Sequence, residues 1–158
     1  MDDKFLRGIA ALPQGPLLGL DLGTKTIGVA VSTPDRRMAT PVTTIKRTKF
    51  TPDADAVIAL AEERHAVGLV LGLPMNMDGS EGPRAQSTRT FAKNFAKRSL
   101  LPIVFWDERL STAAAERDLL AADTSRARRA EVIDQVAASI ILQGALDRLA
   151  AAGQKDVS

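Results

Sequence analysis

Cysteine and tyrosine are absent from this chain, and histidine and tryptophan each occur once. Without cysteine there are no disulfides and no thiolate metal sites, which suits a reducing compartment and predicts a cytoplasmic location. A single histidine, His65, gives a serine nucleophile only one candidate base, and no G-x-S-x-G accompanies it. His65 lies in "EERHAVG", between a helical and an extended stretch, where a turn or cap role is expected. No apolar run approaches the roughly 18 to 20 residues that cross a bilayer, so no membrane partner is predicted. The opening "MDDKFLRGIAALPQGP" starts with two acids and has a short apolar run, unlike a secretory signal. A net charge of +2 is too small to argue nucleic-acid binding by itself.

What is present is an ordered series of elements. At 158 residues the chain is long enough for one domain with a proper core. The expected division is a tail or short helix over 1–15, a domain over 16–151 and a tail over 152–158. Leu17 to Leu22 and Ile27 to Ser32 read as strands joined by a tight "GTK" connection, followed by a β-branched strand from Ala39 to Ile45. Connections this short imply antiparallel pairing, because a parallel crossover needs about a dozen residues. "TPDADAVIALAEERHA" has a helical period through Ala54, Val57, Ile58 and Ala61. "AVGLVLGLP" suits a strand buried on both faces. "RAQSTRTFAKNFAKRSL" reads as a helix with Phe91, Ala92 and Phe95 inward, and "LPIVFW" as a fifth strand. "STAAAERDLLAA" reads as a helix capped by Ser111 or Thr112. A last helix is expected from about Ala130 to Ala151, with a stripe through Ile133, Val136, Ala137, Ile140 and Gly144. The order β-β-β-α-β-α-β-α-α predicts an α/β fold. Its five-stranded mixed sheet, three strands antiparallel and then two parallel, carries helices on both faces and matches a ribonuclease H-like architecture.

Four acids stand out by position. Asp21 sits among Leu17, Leu18 and Leu20, where an unpartnered carboxylate costs several kcal/mol. Asp107 and Glu108 end the fifth strand, and Asp134 falls early in the last helix. Each alone has an ordinary explanation as a turn residue or a helix-dipole partner. Together they are expected to converge at one rim of the sheet. Crowded carboxylates raise each other's pKa unless a cation intervenes. Oxygen-only ligands point to a hard ion, Mg²⁺ or Mn²⁺. Such ions serve phosphodiester cleavage by flanking the attacking and leaving oxygens. Asp21, Asp107, Glu108 and Asp134 are therefore the expected catalytic and metal-binding residues. Strand alternation does not choose between Asp107 and Glu108, which face opposite ways if the strand continues that far.

Phosphate contacts are expected from Lys25 at the hairpin tip, Asn76 in "LGLPMNMDGSEG", Arg109 with its bidentate fork, and the cluster Arg126, Arg128 and Arg129. Arg109 has an equally plain alternative as a salt bridge to one of the neighbouring acids. The loop holding Asn76 follows a parallel strand, where α/β sheets bind ligands. "GLDLGTKTIG" is not a P-loop, since it lacks the Gly-Lys-Ser/Thr ending.

Taken together, "GLDLGTKTIGVAVS", "LGLPMNMDGSEG", "WDERLST" and "IDQVAASIIL" resemble the signature blocks of the YqgF/RuvX family, in that family's order, from Leu17 to about Leu149. The resemblance implies a ribonuclease H-like, divalent-metal nuclease of the bacterial cytoplasm that matures the 5′ end of pre-16S rRNA, free or in a pre-ribosomal particle. It matches Asp21, Asp107, Glu108 and Asp134 to the family's acids. The arginine-rich "TSRARRAEV" departs from the glycine- and lysine-bearing loop expected there. Three alternatives remain. A DNA resolvase acting on Holliday junctions uses the same kind of site and works as a dimer, so monomer and homodimer both stay open. A non-catalytic RNA- or protein-binding module of this fold is the second. An ATPase of the actin and Hsp70 type also opens with "DLGT", but this chain has no second glycine-rich phosphate hairpin.

Overall fold

The computed structural model describes the backbone of residues 2–110 and 126–157, and the side chains of residue 5 and of residues 7–110 and 133–152. Strands β1 (Leu17–Leu22), β2 (Thr26–Ser32) and β3 (Ala39–Lys46) form an antiparallel meander. Helix α2 (Phe50–Glu63) leads to β4 (Gly68–Leu73), and α3 (Pro83–Ala96) leads to β5 (Ile103–Asp107). β4 pairs in parallel with both β1 and β5. The sheet order is β3-β2-β1-β4-β5, which is the mixed five-stranded arrangement expected from the element order.

Alternation along β1 assigns the two faces. Leu18, Leu20 and Leu22 pack with α2 and α3 through Val57, Phe91 and Phe95. Leu17 turns to the other face, where Gly19 and Asp21 follow it at the strand period, beneath a long helix α4 (Arg126–Val157). α3 starts where Pro83 follows Gly82, since proline at the first helical position loses no hydrogen bond there. α2 is anchored at its start by Asp53, which is buried, accepts the Thr48 N–H at 3.1 Å and pairs with Arg47 at 3.8 Å.

α4 sits directly on the sheet because glycines let it. A Cβ on Gly19 would lie 2.7 Å from Leu142 Cβ, and one on Gly28 would collide with the Asp134 carbonyl. The buried stripe of α4 is Ala137, Ala138, Ile141, Leu142, Ala145 and Leu146. The expected stripe is rotated relative to this one. Ala137 is shared, whereas Ile133, Val136 and Ile140 are only half-buried. The stripe mixes alanines with Ile141, Leu142 and Leu146, and the sheet makes room for Leu142 at Gly19 and for Ile141 at Gly72. α4 also runs to Val157 rather than ending near Ala151.

The N-terminal segment forms helix α1 (Asp2–Ala10), and it belongs to the core. Phe5, Ile9 and Leu12 are buried at helical spacing, and the Phe5 ring meets Trp106 at 4.8 Å between centroids. β5 is an edge strand, and α1 covers the side that would leave Trp106 and Val104 open. His65 takes a left-handed turn at φ 56 between α2 and β4, as its position predicted. The helix expected from Ser111 to Ala122 lies outside the described residues. Among the described residues, no helix is long and apolar enough to cross a membrane.

Candidate functional site

Asp21 lies in the middle of a row that crosses the sheet. It pairs with Gly28 on β2. On its other side, one step past the Leu20–Leu71 pair, the neighbour on β4 is Gly72. Both glycines are roofed by acidic residues. The main chain of Asp134 covers Gly28, and the Glu108 carboxylate covers Gly72, where a Cβ would lie 2.8 Å from Glu108 Oε1. Any side chain at either position would fill the space that these acids use. The strand period, the two glycines and the seating of α4 thus bring Asp21, Glu108 and Asp134 to one end of one sheet face.

A cleft of about 400 Å³ opens there, lined by Asp21, Asp134, Arg84 and the hairpin residues Gly23 to Thr26. Asp21 is buried and Asp134 half-buried. The Thr26 hydroxyl donates to Asp134 Oδ2, which fixes one side of that carboxylate. A larger hollow of about 580 Å³ lies between α3 and β5, but Arg89 and Lys93 are its only charged lining residues, so the acid chemistry is not there.

Asp107 is placed differently from Glu108. Val104 and Trp106 point to the α4 face, and Ile103 and Phe105 to the other, so alternation carries Asp107 away from Asp21. Its carboxylate is held by Arg109, with Nη2–Oδ2 at 2.6 Å, Nε at 3.1 Å from both oxygens, and the Arg109 N–H donating at 2.9 Å. Burial pushes the Asp107 carboxyl up, but the hydrogen bonds and charge of Arg109 outweigh it and hold the group below the usual range. The same bonds raise the Arg109 guanidinium above its ordinary value. The 3-10 turn Glu108–Leu110 follows at once, and this change of backbone direction swings Glu108 back over Gly72.

The sequence expectation of four acids at one point is therefore narrowed. Asp21 and Asp134 share a cleft, Glu108 stands one strand away, and Asp107 is engaged elsewhere. Among the described residues, no three acidic or imidazole side chains gather closely enough to enclose an ion. The donor set still fits a Mg²⁺-like ion. Such ions take one or two carboxylates, keep several waters and draw further oxygens from a substrate phosphate.

The expected phosphate ligands also divide. Lys25 lines the cleft. Asn76 instead closes its own loop: its Nδ2 donates to Ser80 Oγ at 2.9 Å and its N–H to the Ser80 carbonyl. The fork of Arg109 is occupied by Asp107, and its Nη1 reaches the Met77 carbonyl at 3.3 Å. Arg126, Arg128 and Arg129 fall on the first turn of α4, with their side chains outside the described residues. Sequence reasoning missed Thr26 and Arg84. The signal for Arg84 was its place just after the ligand-side loop, at the start of α3.

A family model described as RuvX, Holliday junction resolvase, matches residues 15–148. A protein of Rhodopseudomonas palustris named "Putative pre-16S rRNA nuclease" is 70% identical over 138 residues, covering 87% of this chain and 86% of its own. Proteins of the same name from Cereibacter sphaeroides and Paracoccus denitrificans are each 67% identical, over 93% and 92% of this chain and 92% and 93% of theirs. Among solved structures, T. thermophilus RuvC in complex with a Holliday junction substrate aligns with a TM-score of 0.56 at 12% identity, over 88% of this chain and 96% of that one. The yeast mitochondrial Holliday junction resolvase Ydc2 aligns at 0.53 and 14% identity, over 96% of this chain and 87% of its own. At these identities the likeness concerns the fold, which is the ribonuclease H-like one that the strand order predicted.

Proposed function

The chain belongs to the RuvX family, and from that membership we propose that it is a divalent-metal-dependent nuclease of the cytoplasm, hydrolysing phosphodiester bonds in pre-16S rRNA. The observation that carries the chemistry is Asp21 between two glycines that admit Asp134 on one side and Glu108 on the other.

In this reading Asp21 and Asp134 would hold the ion, Mg²⁺ or Mn²⁺, with Glu108 one strand away as a further carboxylate at the same end of the sheet. When bound, the ion supplies Lewis-acid neutralisation at the phosphoryl group and acidifies the attacking water. Thr26 keeps Asp134 aimed into the cleft. Lys25 attracts a backbone phosphate to the hairpin side. Asp107 does not bind metal. It clamps Arg109, and this clamp sets the turn that carries Glu108.

The test is cleavage of a 5′-extended 16S precursor RNA, with a four-way DNA junction assayed in parallel, in Mg²⁺ or Mn²⁺. The parent is expected to cut the RNA and Asp21→Asn to bind it without cutting. Junction cleavage without RNA cleavage would reverse the substrate assignment. Equal cutting by parent and Asp21→Asn would remove the mechanism.

A further inference from the structure

Arg84 combines a free guanidinium with a place beside the acids. Arg36 is bonded to the Gly15 and Pro13 carbonyls, and Arg37, Arg47, Arg89, Arg98 and Arg109 are each paired with a carboxylate. Arg84 is exposed and lines the cleft with Asp21 and Asp134, yet among the described residues its guanidinium makes no hydrogen bond or ion pair. Its backbone carbonyl accepts the Thr88 hydroxyl, so the side chain leaves from a well-formed first turn of α3. Lys25 lines the same cleft and is likewise uncommitted.

A cation beside carboxylates that does not pair with them remains available to an anion. The charge count favours one. Lys25, Arg84 and a divalent ion set against Asp21, Asp134 and the nearby Glu108 leave a surplus of one positive charge. A phosphodiester strand, with about one negative charge per nucleotide, answers that surplus. Arginine adds a planar fork that meets two phosphate oxygens at once, which an ammonium cannot.

We infer that Arg84 is a substrate-binding residue, taking a backbone phosphate of the strand held in the cleft from the α3 side while Lys25 serves the hairpin side. This rests on the nuclease reading for the identity of the strand. It replaces Arg109, whose fork is occupied, as the arginine that contacts phosphate.

The experiment uses a fluorescein-labelled RNA hairpin with a single-stranded 5′ extension. Binding to Asp21→Asn is compared with binding to Asp21→Asn/Arg84→Ala across a salt series, while kcat and KM are compared for parent, Arg84→Ala and Arg84→Lys. Arg64→Ala is the control, since Arg64 is an exposed arginine at the opposite end of β4, with no side-chain partner among the described residues. Loss of Arg84 should weaken binding about tenfold and lower the salt slope by about 0.7 to 0.9. KM should rise with kcat near the parent value, and Arg84→Lys should recover only part of the loss. If Arg84→Ala behaves like Arg64→Ala in both slope and KM, the inference is overturned. Cutting by the parent that is indifferent to Arg84 would sink this assignment and leave the nuclease reading standing. RNA binding that depends on Arg84 without cutting by the parent would do the reverse. No binding and no cutting would sink both.

Discussion

Asp21 and Asp107 end neighbouring regions of the same sheet and are almost equally hidden, at 3% and 6% exposure. Their surroundings differ. Asp107 faces a guanidinium with matched geometry, in an arrangement that satisfies itself. Asp21 faces a cleft bordered by another carboxylate and kept open by missing side chains. The difference lies in the surroundings: Asp107 is clamped by one guanidinium, whereas Asp21 opens onto a cleft that it shares with Asp134.

That contrast can be broken in several ways. Asp21→Asn should lower cleavage about a thousandfold, about 4 kcal/mol of transition-state stabilisation, while leaving the thermal midpoint close to the parent's. Single-turnover kinetics and calorimetry read the two effects separately. Gly28→Ala should cost about 3 kcal/mol in urea unfolding and also lose activity, because its Cβ would collide with the main chain that carries Asp134. Mn²⁺ at about a hundred times its dissociation constant should stabilise the parent by about 2.7 kcal/mol and leave Asp21→Asn unmoved. Asp107→Asn should do the opposite of Asp21→Asn. It should lose about 2 kcal/mol of stability as a charge-assisted pair is removed, and keep measurable cleavage. An Asp107→Asn protein that is fully stable but inactive would collapse the distinction.

The smallest expected effect lies in pH. The Asp107 carboxyl is depressed in the folded protein, with burial opposing and Arg109 prevailing. Its contribution is complete above the unfolded value near about pH 4 and disappears as pH falls through the lower folded value. The stability gap between the parent and Arg109→Gln should therefore be full at pH 7 and close as pH falls below about 4, as measured by urea melts.

The sheet was legible because its signals are local. The 17–22 and 27–32 runs, the short "GTK" connection and the period of Phe91, Ala92 and Phe95 each act within a few residues. The N-terminal helix was harder to place. The spacing of Phe5, Ile9 and Leu12 marks a helix, but only the open edge of β5 gives it somewhere to dock. Three of the four acids stand near one another, while the choice between Asp107 and Glu108 depended on where β5 ends and the 3-10 turn begins. Boundaries of that kind are set by tertiary contacts, here the Asp107–Arg109 clamp. Asn76 shows the reverse limit: the sequence marked it as polar and well placed, but not that its hydrogen bonds are taken up locally, whereas for Arg109 the salt bridge to a neighbouring acid was one of the two readings the sequence left open. Arg84 was passed over because what sets it apart, a place in the cleft and no partner among the described residues, is visible only in three-dimensional packing.

The seating of α4 on glycine has a consequence for the order in which the molecule becomes complete. This helix is last in the chain, and it delivers Asp134 with the same contact that closes one side of the core. A nascent chain that has made its five strands but not its final helix holds Asp21 with no opposite wall. With Asp21 and Asp134 in the roles proposed above, hydrolytic competence and structural maturity arrive together, and a partly synthesised or partly unravelled copy is disarmed toward the RNA around it.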